Sequence, residues 1–368
     1  MVQTQKITLL LVGLASVVSA RYQLVQDYSG LNFYRGFDFF TQPDPTNGHV
    51  VFKSMQEANA TGIAGFLDGG NATNAIYMAV DSSEIAPQGR ASVRVTSKQS
   101  FDKFLLIADI VHMPGGICGT WPAFWTVGRN WPYDGEIDII EGVNDQKMNY
   151  MTLHTSASIQ LASPSGPVRR SSNNATDNGG YNNPFSPLFA GQITTSNCAI
   201  DAPNQDENAG CAILDPSPLT YGTDFNANGG GVFAVQRTSS SINMWFFPRG
   251  KFPSDIVNSQ PSPNPSWGRP RAVFQGDFSI DEHFAAQQIV FDTTFCGGWA
   301  GKVWASNPQC SKLAATCEDY VTNNPEAFRE AYWAVNTLQV FQDDGAEDAA
   351  VKEMVKSHKQ SARKRHGL

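Results

Sequence analysis

The sequence is short of charge. Asp, Glu, Lys and Arg make up 16% of its 368 residues, and the balance is acidic at −8. Without a basic surplus to neutralise phosphates, a nucleic-acid partner is excluded. No amphipathic stripe of ten residues runs between Arg21 and Gln342, which excludes a helical bundle; Pro325–Tyr332 has room for a short helix only. No segment reaches the ~20 apolar residues needed to cross a bilayer, so no membrane association is expected. Cys-x-x-Cys pairs and clustered Cys/His spacings are also missing, and no metal site is expected on that ground.

The first twenty residues have the layout of a secretory signal peptide: a positive charge at Lys6, an apolar run over Ile7–Val18, and small residues ending at Ala20. An extracellular protein is therefore expected. Asn59-Ala60-Thr61, Asn71-Ala72-Thr73 and Asn174-Ala175-Thr176 are glycosylation acceptors that agree with it. So do the six cysteines, Cys118, Cys198, Cys211, Cys296, Cys310 and Cys317, all beyond the leader. An even count in a secreted chain favours disulfides, and Cys198 with Cys211, flanking a polar loop, is the best local pair; the other pairings stay open.

Alternating or continuous apolar runs mark strands at Ala91–Thr96, Phe104–Val111, Gly135–Gly142, Gln287–Phe291 and Ala334–Phe341. Val232–Val235 and Ile242–Phe247, joined by a Thr/Ser turn, predict a hairpin. Many short strands among Gly/Pro turns indicate an all-β sandwich or barrel. With no repeat and no linker, one domain is expected over residues 21–342, followed by a polar tail, 343–368, with a basic end at Arg363-Lys364-Arg365. Ala162–Gly191 and Pro248–Pro270 are long loops, expected to be functional or disordered. A monomer is expected.

The chemistry is concentrated in Gly135-Glu136-Ile137-Asp138-Ile139-Ile140-Glu141-Gly142. On a regular strand Glu136 and Asp138 share a face while Glu141 points the other way. One extra residue in a β-bulge near Ile139-Ile140 reverses the register, so that all three acids face one cleft and the isoleucines pack behind them. On a flat strand the two Glu backbones lie more than about 13 Å apart. Retaining glycoside hydrolysis needs its carboxyl groups roughly 5–5.5 Å apart, so the strand must bend. An exposed acidic strand is the plainer alternative, but Trp, Ile and Gly surround these acids. Calcium loops are richer in Asp, Asn and Gly and irregular.

Aromatic residues cluster just upstream, in Trp121-Pro122-Ala123-Phe124-Trp125 and Trp131-Pro132. Flat rings can stack on the C–H faces of sugars, although Trp125 suits core packing as well. Trp121 and Trp131 each precede a proline, so cleft-edge loops are expected for both.

The Glu-x-Asp-x-x-Glu pattern resembles the bulge motif of glycoside hydrolase family 16. The likeness extends through Phe37–Phe40, Asp44–Gly48, His112–Pro114, Cys118–Trp125, Trp131-Pro132, Glu141–Asn144, Thr152–Thr155, Trp245–Arg249 and Cys296–Gly301. It covers nearly all of Tyr22–Phe341 and is nearest the fungal endo-β-1,3(4)-glucanases. The resemblance implies a β-jelly-roll of two antiparallel sheets with a concave substrate cleft. It also implies Glu136 as nucleophile, Glu141 as acid/base and Asp138 as assisting acid. His154, Trp121, Trp125, Trp131, Trp299 and, from strand alternation, Arg94 are the expected substrate contacts. A β-glucan is the expected partner, and no cofactor is needed for hydrolysis. Disulfide pairing is not carried over, because Ser156–Ile159 and Asp277–Ile280 stand where relatives often have cysteines.

Overall fold

A computed structural model describes residues 22–69, 72–162 and 188–343. The expected signal peptide, the acceptors Asn71 and Asn174, most of the Ala162–Gly191 stretch, and the tail beyond Asp343 lie outside them. Asn59 is exposed near the end of a short helix, Met55–Ala60, which a Ser54–Glu57 capping box opens.

Two antiparallel sheets form a sandwich, as the sequence implied. The first runs in the order β16 (Ala272–Phe274), β15 (Ile242–Pro248), β14 (Gly231–Arg237), β8 (Phe104–His112), β18 (Tyr332–Asp343), β5 (Ala72–Ala79) and β4 (Ala64–Gly69); β1 (Tyr22–Asp27) also pairs with β18. The second runs β12 (Gln192–Ile193), β13 (Cys211–Leu214), β11 (Tyr150–His154), β10 (Glu136–Glu141), β9 (Thr120–Val127), β17 (Gln288–Phe295), β7 (Arg94–Ser97) and β2 (Phe37–Phe39). A small parallel pair joins β3 (Val50–Phe52) to β6 (Arg90–Ser92). The predicted hairpin is β14–β15, with Thr238–Ser241 as its turn.

The central core fills the space between the sheets. Phe104, Leu106, Ala108 and Ile110 of β8 meet Phe124, Ile137, Ile140, Leu153 and Phe291 from beneath the second sheet. The alternate residues of β8, Leu105 and Ile107, pack on the outer side with Trp245, Phe247 and Trp267. That is why Phe104–Val111 is apolar at nearly every position. The Pro248–Pro270 stretch supplies this outer cover and is neither a cleft loop nor disordered. Its Trp267 is 4% exposed and donates its indole N–H to both Asp255 oxygens, at 3.0 and 2.8 Å.

Ala91–Thr96 is not one strand. The chain changes partners at Val93: Ala91 pairs with Val51 in the small sheet, and Arg94 pairs with Asp292 in the second large one. Pro325–Phe328 forms a single 3₁₀ turn within the segment expected to be helical.

Cys198–Cys211 pair as expected, and the other two bridges are Cys118–Cys310 and Cys296–Cys317. The shorter bridges span 13 and 21 residues, and loops of that size contribute on the order of 3 kcal/mol each. Cys118–Cys310 and Cys296–Cys317 both lie in or against a second apolar cluster, around Trp304 and Phe328.

Candidate active site

The acidic strand begins where only glycine fits. Gly135 has φ +72°, and a Cβ there would lie 2.3 Å from the His283 carbonyl oxygen. β10 then runs in regular register against β9: Glu136 faces Val127, Ile137 faces Thr126, and Asp138 faces Trp125. At the next step the register slips, so that Ile140 faces Phe124 and Glu141 faces Ala123. Ile139 is the extra residue. Ala123, Trp125 and Val127 alternate onto one face of β9, so their partners Glu141, Asp138 and Glu136 share that face. Ile137, Ile139 and Ile140 are fully buried beneath it. The bulge stands where the sequence reading placed it.

A bulge strands backbone hydrogen-bonding groups, and buried ones need partners. Asn149, fully buried, supplies them. Its Nδ2 donates to the Ile139 carbonyl at 2.8 Å, and its Oδ1 accepts from the Glu141 N–H at 2.9 Å. Nothing in the spacing of the acids points to this residue.

The neighbouring strand brings in the histidine. Glu136 pairs with His154 across β10–β11. His154 Nε2 lies 3.3 Å from Asp138 Oδ2 and 4.0 Å from Glu136 Oε1. Asp138 Oδ2 and His154 Nδ1 are buried atoms without a hydrogen bond among the described residues. The ring is backed by Gly210, where a Cβ would come within 2.9 Å of Nδ1 and Cε1.

Trp121 and Trp125 both belong to β9, between Thr120 and Val127, so Trp121 is not in a cleft-edge loop. Its following proline is tolerated in the strand because β10 ends at Glu141, opposite Ala123, and needs no N–H from residue 122. The Trp121 indole donates to Glu141 Oε1 at 3.0 Å. Trp299, on the helical turn Gly297–Gly301, meets Trp121 edge-on at 5.6 Å and Tyr150 at 6.1 Å. Trp131 does stand in the β9–β10 loop; it is 42% exposed and outside this ring pair.

Arg94 reaches the same face from β7. Its guanidinium lies 4.6 Å from the Phe40 ring and 5.0 Å from the Trp125 ring. The Trp125 indole donates to Asp292 Oδ1 at 3.2 Å. Asp292, 6% exposed, pairs in register with both Ala123 and Arg94. It is a fourth acid of the cluster, 151 positions beyond Glu141 by residue number, and no local motif marks it.

Burial dominates the electrostatics. It pushes the Glu136 and Glu141 carboxyls up to about 8, with the charge of Asp138 adding to each and His154 opposing it. Asp138 is held well above the ordinary carboxyl value by burial and by Asp292. Asp292 is raised to about 7 by burial, against the opposing pull of Arg94. So many acids in one low-dielectric pocket cannot all be ionised at neutral pH. The arrangement therefore holds protonated and ionised carboxyls side by side among half-buried aromatic rings, the equipment for acid-assisted substitution at a sugar carbon.

The XgeA-like catalytic GH16 domain matches residues 37–341. An endo-1,3(4)-beta-glucanase of Arthroderma benhamiae is 42% identical over 341 residues, covering 92% of this chain and 68% of that protein. A probable endo-1,3(4)-beta-glucanase of Aspergillus niger is 39% identical and covers 94% of this chain, which spans 43% of that longer protein. Among solved structures, an elongating family 16 beta-1,3-glucosyltransferase superposes with a TM-score of 0.74 at 39% identity, over 87% of this chain and all of that one. Laminarinase 16A from Phanerochaete chrysosporium, holding beta-glucans in both donor and acceptor sites, gives 0.72 at 37% identity, over 88% of this chain and all of its own.

Proposed function

The chain belongs to glycoside hydrolase family 16, and from that membership we propose that it is a secreted, endo-acting β-glucan hydrolase that cleaves β-1,3 or mixed β-1,3/1,4 linkages with retention. The observation that carries the reading is the register slip at Ile139, which gives Glu136, Asp138 and Glu141 one common face. In this reading Glu136 attacks the anomeric carbon. Glu141, held by Trp121, gives its proton to the leaving oxygen and then takes one from water. Asp138 stays protonated between them and shares its hydrogen with the ionised neighbour. Trp121, Trp125, Trp299 and Arg94 bind the sugar rings and hydroxyls around the acids, His154 orients the carboxyls, and Trp131 meets the chain at the rim. The signal-like leader and the three disulfides support an oxidising, extracellular setting.

Reducing-sugar release from laminarin and barley glucan tests the reading. The chain should cleave at least one of them, and Glu136→Gln should lower the rate by more than a thousandfold. Equal activity in the variant overturns the assignment. The glucosyltransferase neighbour favours one second reading, in which a sugar hydroxyl replaces water in the second step. Products longer than the substrate, seen by mass, would establish transfer.

A further inference from the structure

We propose that Glu136, Asp138 and His154 form a binding site for one Zn²⁺ or similar borderline transition-metal ion, and that such an ion shuts the cleft. Binding stands on geometry alone; the block on activity rests on the glucanase reading. One ligand atom from each residue lies within 4.8 Å of the others. Four-coordinate zinc holds nitrogen and oxygen ligands at about 2.0–2.2 Å, so its ligand atoms sit roughly 3.3–3.5 Å from one another. His154 Nε2 and Asp138 Oδ2 already have that separation, at 3.3 Å. The 4.0 Å gap to Glu136 Oε1 closes with a small rotation of a side chain that is 16% exposed on the cleft side. A fourth position is left facing the cleft for water.

A second observation singles out this trio. Asp138 is 3% exposed in its side chain, yet Oδ2 accepts no hydrogen bond despite its distance from Nε2. A buried carboxyl oxygen without a hydrogen bond is costly, and once its proton is released on binding it has lone pairs to give. The donor set of one imidazole and two carboxylates suits zinc, whereas calcium takes six to eight oxygens. The supporting shell sets an upper limit on strength. A metal-bound histidine is normally fixed through its other ring nitrogen, and here Nδ1 has no hydrogen-bond partner among the described residues. Missing that support weakens a site by about 10–100-fold. The ion is thus a reversible inhibitor that occupies the place of the substrate, not a structural metal.

Isothermal titration of the full-length chain with ZnCl₂ tests the site. One ion should bind per chain, with MgCl₂ and CaCl₂ failing to displace it. His154→Gln and Asp138→Asn should each weaken binding at least tenfold while melting cooperatively, and a laminari-oligosaccharide should compete with zinc. Zinc should also inhibit laminarin cleavage at the concentration at which it binds. Undiminished binding in both variants, or no binding at millimolar zinc, overturns the proposal. Glucan cleavage without zinc binding removes only the metal site. Zinc binding at these residues in a chain that leaves every glucan intact removes only the glucanase reading. If either variant fails to fold, competition between zinc and the oligosaccharide in the unaltered chain decides: independence of the two refutes the site.

Discussion

Asn149 accepts a 2.9 Å hydrogen bond from the backbone N–H of Glu141 and, through the same amide, donates to the carbonyl of Ile139. One buried side chain thus stands in for the ladder partners that the bulge removes. Asn149→Ala leaves both buried groups unpaired, at a cost of about 1–3 kcal/mol for each. The expected result is a marked fall in stability and a fall in kcat well beyond any change in KM. Asn149→Asp, which keeps only the acceptor, should recover part of neither property, because its charge joins an acidic pocket. Denaturant unfolding with parallel kinetics checks this.

The pH dependence of cleavage follows from burial. Glu136 must lose its proton and Glu141 must keep one, and both are raised to about 8. Their titrations are shared, so the profile of kcat/KM reports two steps belonging to the pair. The acid limb should lie above 4.5, the ordinary Glu value, and the alkaline limb near or above 8. Limbs at unshifted carboxyl values would show that water reaches the acids freely.

The same shift affects stability in a definite direction. Between 4.5 and about 8 the folded Glu136–Glu141 pair keeps protons that the unfolded chain releases, so this contribution is complete below 4.5 and is lost as pH rises toward 8. Glu136→Gln removes one member of the pair and so reduces the dependence. Calorimetry should find the variant melting higher than the unaltered chain at pH 7, by on the order of 3 °C, with the difference vanishing near pH 4.

Asp292 acts on the cluster through charge and through Trp125. Asp292→Asn keeps an acceptor for the indole and removes the charge that raises Asp138 and Glu141. The alkaline limb should move to lower pH with KM little changed. Asp292→Ala should raise KM as well, because the Trp125 indole loses its acceptor. Matching profiles in all three chains would place Asp292 outside the electrostatics of the cleft.

What was legible in the sequence was local. Glu136, Asp138 and Glu141 lie within six residues, and bringing all three to one face with the isoleucines behind called for an extra residue near Ile139-Ile140; the β9–β10 register has it at Ile139. The strand Phe104–Val111 and the β14–β15 hairpin were equally readable, because their patterns need no distant partner. What was hidden depends on long-range pairing. Asp292 joins the site because β17 lies beside β9, and Asn149 is an ordinary loop-edge asparagine until the bulge needs it. The nitrogen of His154 meets Asp138 only across β10–β11, so a search for clustered Cys/His spacing had nothing to find. Trp121 was misplaced for a similar reason. A proline normally excludes a central strand, and only the end of β10 at Glu141 relieves the need for its N–H.

Retaining cleavage by this site requires Glu136 to be the group that bonds to sugar. Incubation with a 2-deoxy-2-fluoro-laminaribiosyl fluoride, followed by digestion and peptide mass spectrometry, measures this directly. The expected result is one glycosyl mass added to the peptide containing Glu136, blocked by prior addition of laminarin oligosaccharide. Label on Glu141 or elsewhere, or no label in a preparation that cleaves laminarin with inversion, would contradict it.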